Sequence, residues 1–193
     1  MNLANKLTLI RIILVPIFLV FIAYQDLPYG SVIATLIFII ASVTDQLDGY
    51  IARSRNQITT FGKFLDPIAD KIVVIAAMIM LVEFGHLPAW IPIIVIFREF
   101  IVSGYRLVAV QKDGNVIAAN VWGKLKTVTQ MIAVILAFLD PNPYATIFNG
   151  NLSGYNFIIN LLVTLIMSVS VVATIFSGWE YVKNGKELFK GSV

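Results

Sequence analysis

Apolar runs of close to twenty residues recur along this chain with only short turns between them, and no other feature restricts its fold so severely. A helix of about 20 residues covers the ~30 Å of hydrocarbon in a bilayer, and there every backbone N–H and C=O must be bonded within the segment itself. Six segments approach that length: 7–24, 29–52, 66–83, 88–110, 122–139 and 155–179. Pro28, Gly85 with Pro88, and Pro141 with Pro143 punctuate three of the turns, while Gly62, Gly114 and Gly123 fall in connections on the other side. With 59% apolar and 13% charged residues the chain leaves no stretch for a separate soluble domain. The expectation is an all-α integral membrane protein with six transmembrane helices, forming one domain over residues 1–193 without an internal repeat. The first run lacks a small-x-small cleavage site and reads as a retained helix.

Charge orients the spans, because Lys and Arg stay in cytoplasmic loops. With a cytoplasmic N-terminus the outer turns carry Asp26, Glu83, His86 and Asp140, and none of the 14 Lys and Arg residues. Both termini are then expected in the cytoplasm of a cell-membrane protein. The net charge of +3 reflects this asymmetry and attraction to anionic lipid head groups, and it argues against nucleic acid as a partner. Tyr24, Trp90, Trp122, Trp179 and Tyr181 lie near span ends and read as interfacial aromatic belts. The absence of cysteine excludes disulfides, thiolate metal ligands and a cysteine nucleophile, so a metal must take oxygen ligands or the single His86.

The second span offers 17 uncharged residues, Pro28 to Thr44, before Asp45, which is roughly 25 Å of helix at 1.5 Å per residue. The third offers 11, Ile72 to Val82, so Asp66, Asp70 and Lys71 fall within the depth of the membrane, where ionisable groups need partners or a wet cavity. Asp48, Gly49, Ala52 and Arg53 follow Asp45 at helical offsets, and Asp66 and Asp70 are four apart. Carboxylates packed together raise one another's pKa unless divalent cations neutralise them. Their all-oxygen donors suit Mg²⁺ or Mn²⁺. Two such ions clamp the attacking and leaving oxygens of a phosphoryl displacement, and a site at the membrane edge selects a substrate with a lipid tail and a phosphate head. Gly49, Ala52 and Gly62 admit a bulky head group, and Arg53 is placed to pair with its phosphate.

Asp45-x-x-Asp48-Gly49-x-x-Ala52-Arg53, eight residues, then Gly62-x-x-x-Asp66-x-x-x-Asp70 resembles, position by position, the signature of the CDP-alcohol phosphatidyltransferases. Members of that family move a phosphatidyl or related group from a CDP-linked donor to an alcohol and release CMP. The resemblance implies that Asp45, Asp48, Asp66 and Asp70 hold two divalent ions and that Asp70 is also the base. It further implies that Gly49, Ala52, Arg53 and Gly62 line the cytidine diphosphate cleft, and that the protein is a homodimer. The opening Asn5-Lys6-Leu7-Thr8-x-x-Arg11 is similar to the start of members that use glycerol 3-phosphate, which adds Asn5 and Thr8 to the cleft; Ala4 stands where a proline often precedes that asparagine. The stretches Arg98 to Arg106, and Gly123-Lys124-Leu125-Lys126-Thr127-x-x-Gln130, look like segments of the same members.

Charge points to an anionic acceptor independently of the resemblance. Arg106, Lys124 and Lys126 gather at the inner loop between the fourth and fifth spans, where they are placed to bind the phosphate of glycerol 3-phosphate. Arg98 lies two turns deeper, where an unpaired cation is costly. Neighbours on a helix point apart, so its expected partner is a carboxylate or substrate phosphate across the cavity rather than Glu99. The expected reaction is transfer from CDP-diacylglycerol to glycerol 3-phosphate. Two alternatives are a transferase of the same family with another acceptor, such as phosphatidylglycerol, and a divalent-cation transporter. The latter would hold its ions near the midplane between repeats.

Overall fold

The structure, a computed structural model, describes residues 3–24, 29–54, 60–113 and 121–189; at 3–5, 45–54, 60–67, 70, 107, 110–113 and 184–189 it describes the backbone alone. Asp26, Pro28, Arg55, Gly114 and Lys190 lie outside the described residues. Six α-helices follow in order: α1 (Leu3–Ala23), α2 (Gly30–Ser54), α3 (Thr60–Glu83), α4 (Trp90–Asp113), α5 (Val121–Leu139) and α6 (Gly154–Phe189), with a single 3₁₀ turn (Thr146–Phe148) before α6. The all-α expectation holds.

The expectation of six transmembrane helices does not. Among the described residues three helices are long and apolar enough to cross a membrane, through Lys6–Ala23 of α1, Val121–Leu139 of α5 and Gly154–Lys183 of α6. The apolar stretch of α2 stops at Gly30–Thr44, since Asp45 and Asp48 follow within the same helix. Asp66, Asp70 and Lys71 occupy the first half of α3, and Arg98, Glu99 and Arg106 interrupt α4. Assigning both termini to the cytoplasm depended on six crossings, and three do not support it. The glycine punctuation also needs revision, because Gly62 lies on α3 and Gly123 on α5 rather than in connections. The last helix runs ten residues beyond its expected end at 179, to Phe189.

α1 packs on α2 and α3, α2 and α3 touch each other and α5, α5 lies along α6, and α4 bridges α3 and α6. Their outward faces are the greasier ones. α1 turns Ile10, Ile13, Ile17 and Val20 outward, at the three- and four-residue spacing of one helical face, while Thr8, Arg11, Val15, Phe18 and Ile22 form its buried face. On α6 the buried seam includes Asn160, Thr164, Ser170, Thr174 and Ser177, and Leu162, Leu165, Val169 and Val172 are exposed. Water would favour the opposite arrangement. Small and polar residues inside, with large apolar ones outside, suit helices whose surroundings are lipid.

The core centres on Phe18, Phe38 and Phe138, whose ring centroids are 5.8 to 6.3 Å apart in tilted and edge-to-face pairs. One end of the bundle is fastened by hydrogen bonds. Asp140 is buried; its Oδ1 accepts from the backbone and side chain of Asn142 (2.9 and 3.0 Å) and its Oδ2 from Asn160 Nδ2 (2.7 Å). Asn160 also accepts from Ile147 N (3.0 Å) and donates to Pro143 O (2.9 Å). At the same end the backbone N–H of Tyr144 reaches the carbonyl of His86 (2.9 Å), tying the α5–α6 connection to the α3–α4 turn. In that turn Gly85 adopts φ +72°, and the amides of His86 and Leu87 bond back to Leu81 O, an arrangement that caps α3. The consecutive helices run antiparallel, so the end of α2 and the start of α3 lie at the opposite end of the bundle, together with the last turns of α4 and α6.

Candidate active site

The four aspartates lie on two packed helices at the end of the bundle away from Asp140. Asp45 and Asp48 are on α2, and Asp66 and Asp70 on α3. On α2 the buried face made by Ala34, Phe38, Ala41 and Ser42 continues by helical register through positions 45, 48, 49 and 52. On α3 buried Ala69, Val73 and Ala77 share a register with positions 66 and 70. The side chains of Asp45, Asp48, Asp66, Asp70, Gly49, Ala52, Arg53, Gly62 and Asn5 lie outside the described atoms. No group of three or more potential metal ligands occurs among the described residues. Of the α1 candidates, Thr8 is buried, as is Arg11 one turn later, on the side of α1 that packs against α2 and α3.

Beside these helices α3, α4, α5 and α6 build a basic cluster around one carboxylate. Glu99 Oε1 accepts from Lys126 Nζ at 2.5 Å and from Arg98 at 2.8 Å, and its Oε2 lies 3.8 Å from Lys71 Nζ. Lys71 also donates to Ser103 Oγ, one turn after Glu99. Arg98 extends a second nitrogen to Ser177 Oγ on α6 at 2.6 Å. Arg106 donates to the Tyr181 hydroxyl at 2.8 Å. Among the described residues the cluster therefore sets four cations, Lys71, Arg98, Arg106 and Lys126, against one carboxylate. Arg98 Nε and Arg106 Nε are buried and have no partner among the described residues, so each guanidinium keeps a spare donor. Such a grouping of cations has the chemistry to take an anion.

Three of the four residues expected to hold the acceptor phosphate, Arg98, Arg106 and Lys126, come together here. Lys124 is exposed, because a residue two positions away on a helix faces the far side. Adjacency does not keep Arg98 from Glu99. Backbone neighbours do separate at Cβ, but the long guanidinium arm spans the gap and bonds the Glu99 carboxylate and Ser177 with different nitrogens. Tyr181 is 5% exposed and belongs to this cluster instead of an aromatic belt. Tyr24, Trp90, Trp122 and Trp179 are exposed as belt residues would be, Trp122 also stacking on Phe176 at 5.2 Å. Lys71, Glu99, Ser103, Ser177 and Tyr181 were not among the sequence candidates. Lys71 and Glu99 are legible as ionisable groups in apolar segments, but nothing local marks Ser177 or Tyr181.

The chain matches the family described as CDP-alcohol phosphatidyltransferase over residues 1–176. It is 43% identical to the CDP-diacylglycerol–glycerol-3-phosphate 3-phosphatidyltransferase of Bacillus subtilis, over 99% of this chain and 98% of that protein. It is 38% identical to the enzyme of the same name from Haemophilus influenzae, over 96% of this chain and 94% of the relative. A probable phosphatidylglycerophosphate synthase of Mycobacterium tuberculosis is 36% identical over 94% of this chain and 80% of its own length.

Proposed function

This chain belongs to the CDP-alcohol phosphatidyltransferase family, and from that premise we propose that it transfers the phosphatidyl group of CDP-diacylglycerol to glycerol 3-phosphate, giving phosphatidylglycerophosphate and CMP. The observation that carries this reading is similarity along nearly the whole chain to enzymes named for that reaction. The four cations around Glu99 agree with it, since the acceptor brings a phosphate dianion to the site.

Asp45, Asp48, Asp66 and Asp70 hold two divalent ions, Mg²⁺ or Mn²⁺. The fit rests on an all-oxygen donor set carried at three- and four-residue spacing by two helices that touch. When bound, such ions would neutralise charge on the oxygens of the diphosphate and so make its phosphorus more electrophilic. Gly49, Ala52, Arg53 and Gly62, with Asn5 and Thr8 of α1, receive the cytidine diphosphate part of the donor. Arg98, Arg106 and Lys126 hold the acceptor's phosphate, with Lys124 at the rim. The Asp70 carboxylate takes the proton from the acceptor hydroxyl as its oxygen attacks the donor's β-phosphorus and CMP leaves. The protein is a membrane protein whose active site faces the cytoplasm, a placement supported by the gathering of Lys71, Arg98, Arg106 and Lys126 at that end of the bundle, and it works as a homodimer, as the family resemblance implies.

Purified protein given CDP-diacylglycerol with glycerol 3-phosphate, inositol phosphate, serine or phosphatidylglycerol, with CMP release followed, tests the acceptor directly. Release with glycerol 3-phosphate alone is expected, abolished by chelation and restored by Mg²⁺ or Mn²⁺. Release with phosphatidylglycerol alone, or full turnover in chelator, refutes the corresponding part of the reading.

A further inference from the structure

The basic cluster draws its cations from α3, α4 and α5, yet its two arginines are gripped from α6. Ser177 and Tyr181 are four residues apart and so share one face of α6; Ser177 accepts from Arg98 and Tyr181 from Arg106. Between them Gly178 has no side chain, and a Cβ there would stand 3.3 Å from Arg98 Cγ, so the glycine lets the arginine stem lie against the helix. The Tyr181 ring sits 5.9 Å from the Arg98 guanidinium carbon and 5.5 Å from that of Arg106. Arg98 and Arg106 are two turns apart on α4, so one aromatic ring gathers both charges. Tyr105 holds that ring in turn by an edge-to-face contact at 5.8 Å.

The chemistry of these partners matters. A helix that served only to stabilise buried arginines would do best by offering carboxylates. Ser177 and Tyr181 are neutral, so they fix the direction of each guanidinium without cancelling its charge, and the spare Nε donors remain. We infer that Ser177 and Tyr181 are positioning residues that aim Arg98 and Arg106 together at the phosphate of the acceptor. This rests on the reading of the cluster as the acceptor site. α6 thus acts on acceptor affinity through the two arginines.

The test is steady-state kinetics of the full-length enzyme with both substrates varied. Tyr181→Phe keeps the ring and removes the hydroxyl. It should raise KM for glycerol 3-phosphate by roughly 10-fold, the scale of one hydrogen bond to a charged group, while kcat and KM for CDP-diacylglycerol change less than about twofold. In an Arg106→Ala background the same change should add nothing further, because the hydroxyl acts through that arginine. Ser177→Ala gives the parallel measurement through Arg98 if the tyrosine variant folds poorly. An unchanged acceptor KM in both variants, an equal rise for both substrates, or additivity with Arg106→Ala overturns the inference. Should the wild-type enzyme accept phosphatidylglycerol and not glycerol 3-phosphate, the reading of the acceptor fails, and the same comparison run on that lipid's phosphate still decides the positioning role.

Discussion

Glu99 accepts from Lys126 and Arg98 and faces Lys71, so one side chain keeps three like charges together in a partly buried space. Removing it leaves those cations to repel one another where water is scarce. Glu99→Ala should therefore cost about 3 kcal/mol, read as a lower thermal midpoint in detergent, with Glu99→Asp losing less. Arg106→Ala removes a cation without stranding a partner charge. It should raise KM for glycerol 3-phosphate well above any change for CDP-diacylglycerol; equal effects on both would mark a folding role. Asp70→Asn keeps the size of the side chain and loses the ability to accept a proton, so kcat should fall by at least ~10²-fold while donor binding persists. Metal content must be measured in that variant, since loss of metal in step with activity would assign Asp70 as a ligand only. Arg98 was legible because an ionisable residue in an apolar segment is conspicuous. The bond from Arg98 to Glu99 was not, because helical spacing describes where Cβ atoms point and says little about the tip of an arginine.

α6 carries polar anchors near both ends of its apolar length. Ser177 and Tyr181 reach the arginines at one end, and Asn160 joins Asp140, Pro143 and Ile147 at the other. Asn160→Ala would leave the buried Asp140 carboxylate and the Ile147 amide short of partners, a loss of about 3 kcal/mol. A fall in the thermal midpoint with both KM values unchanged is the expected result, because this network lies at the end away from the basic cluster. The helices themselves were legible from apolar runs and turn residues. Their ends were less so: α6 continues to Phe189 because no proline follows its apolar stretch, whereas α3 starts at Thr60, a full turn and more before Pro67, a residue that reads as a helix start.

Over the whole molecule, exposed large apolar side chains on α1 and α6 alternate with buried polar ones, a pattern that only an apolar solvent rewards. Counting apolar runs overstated the membrane crossings because it tolerated charges within a run. α2, α3 and α4 spend part of their length on carboxylates and cations, so the residues proposed for the chemistry are the ones that shorten these helices' apolar stretches.

The fastening at the Asp140 end has a mechanical consequence. There the helices are tied by neutral hydrogen bonds and a buried carboxylate, whereas the opposite end is held partly by mutually repelling cations that an incoming phosphate would relieve. The Asp140 end should therefore be the stiffer of the two, and the basic end should tighten when its charge is matched. Amide exchange should be slow near Asn160 with or without substrate. Near Arg106 it should be faster in the free enzyme and slower with an acceptor analogue bound; equal exchange at the two ends would show that the two fastenings do not differ in this way.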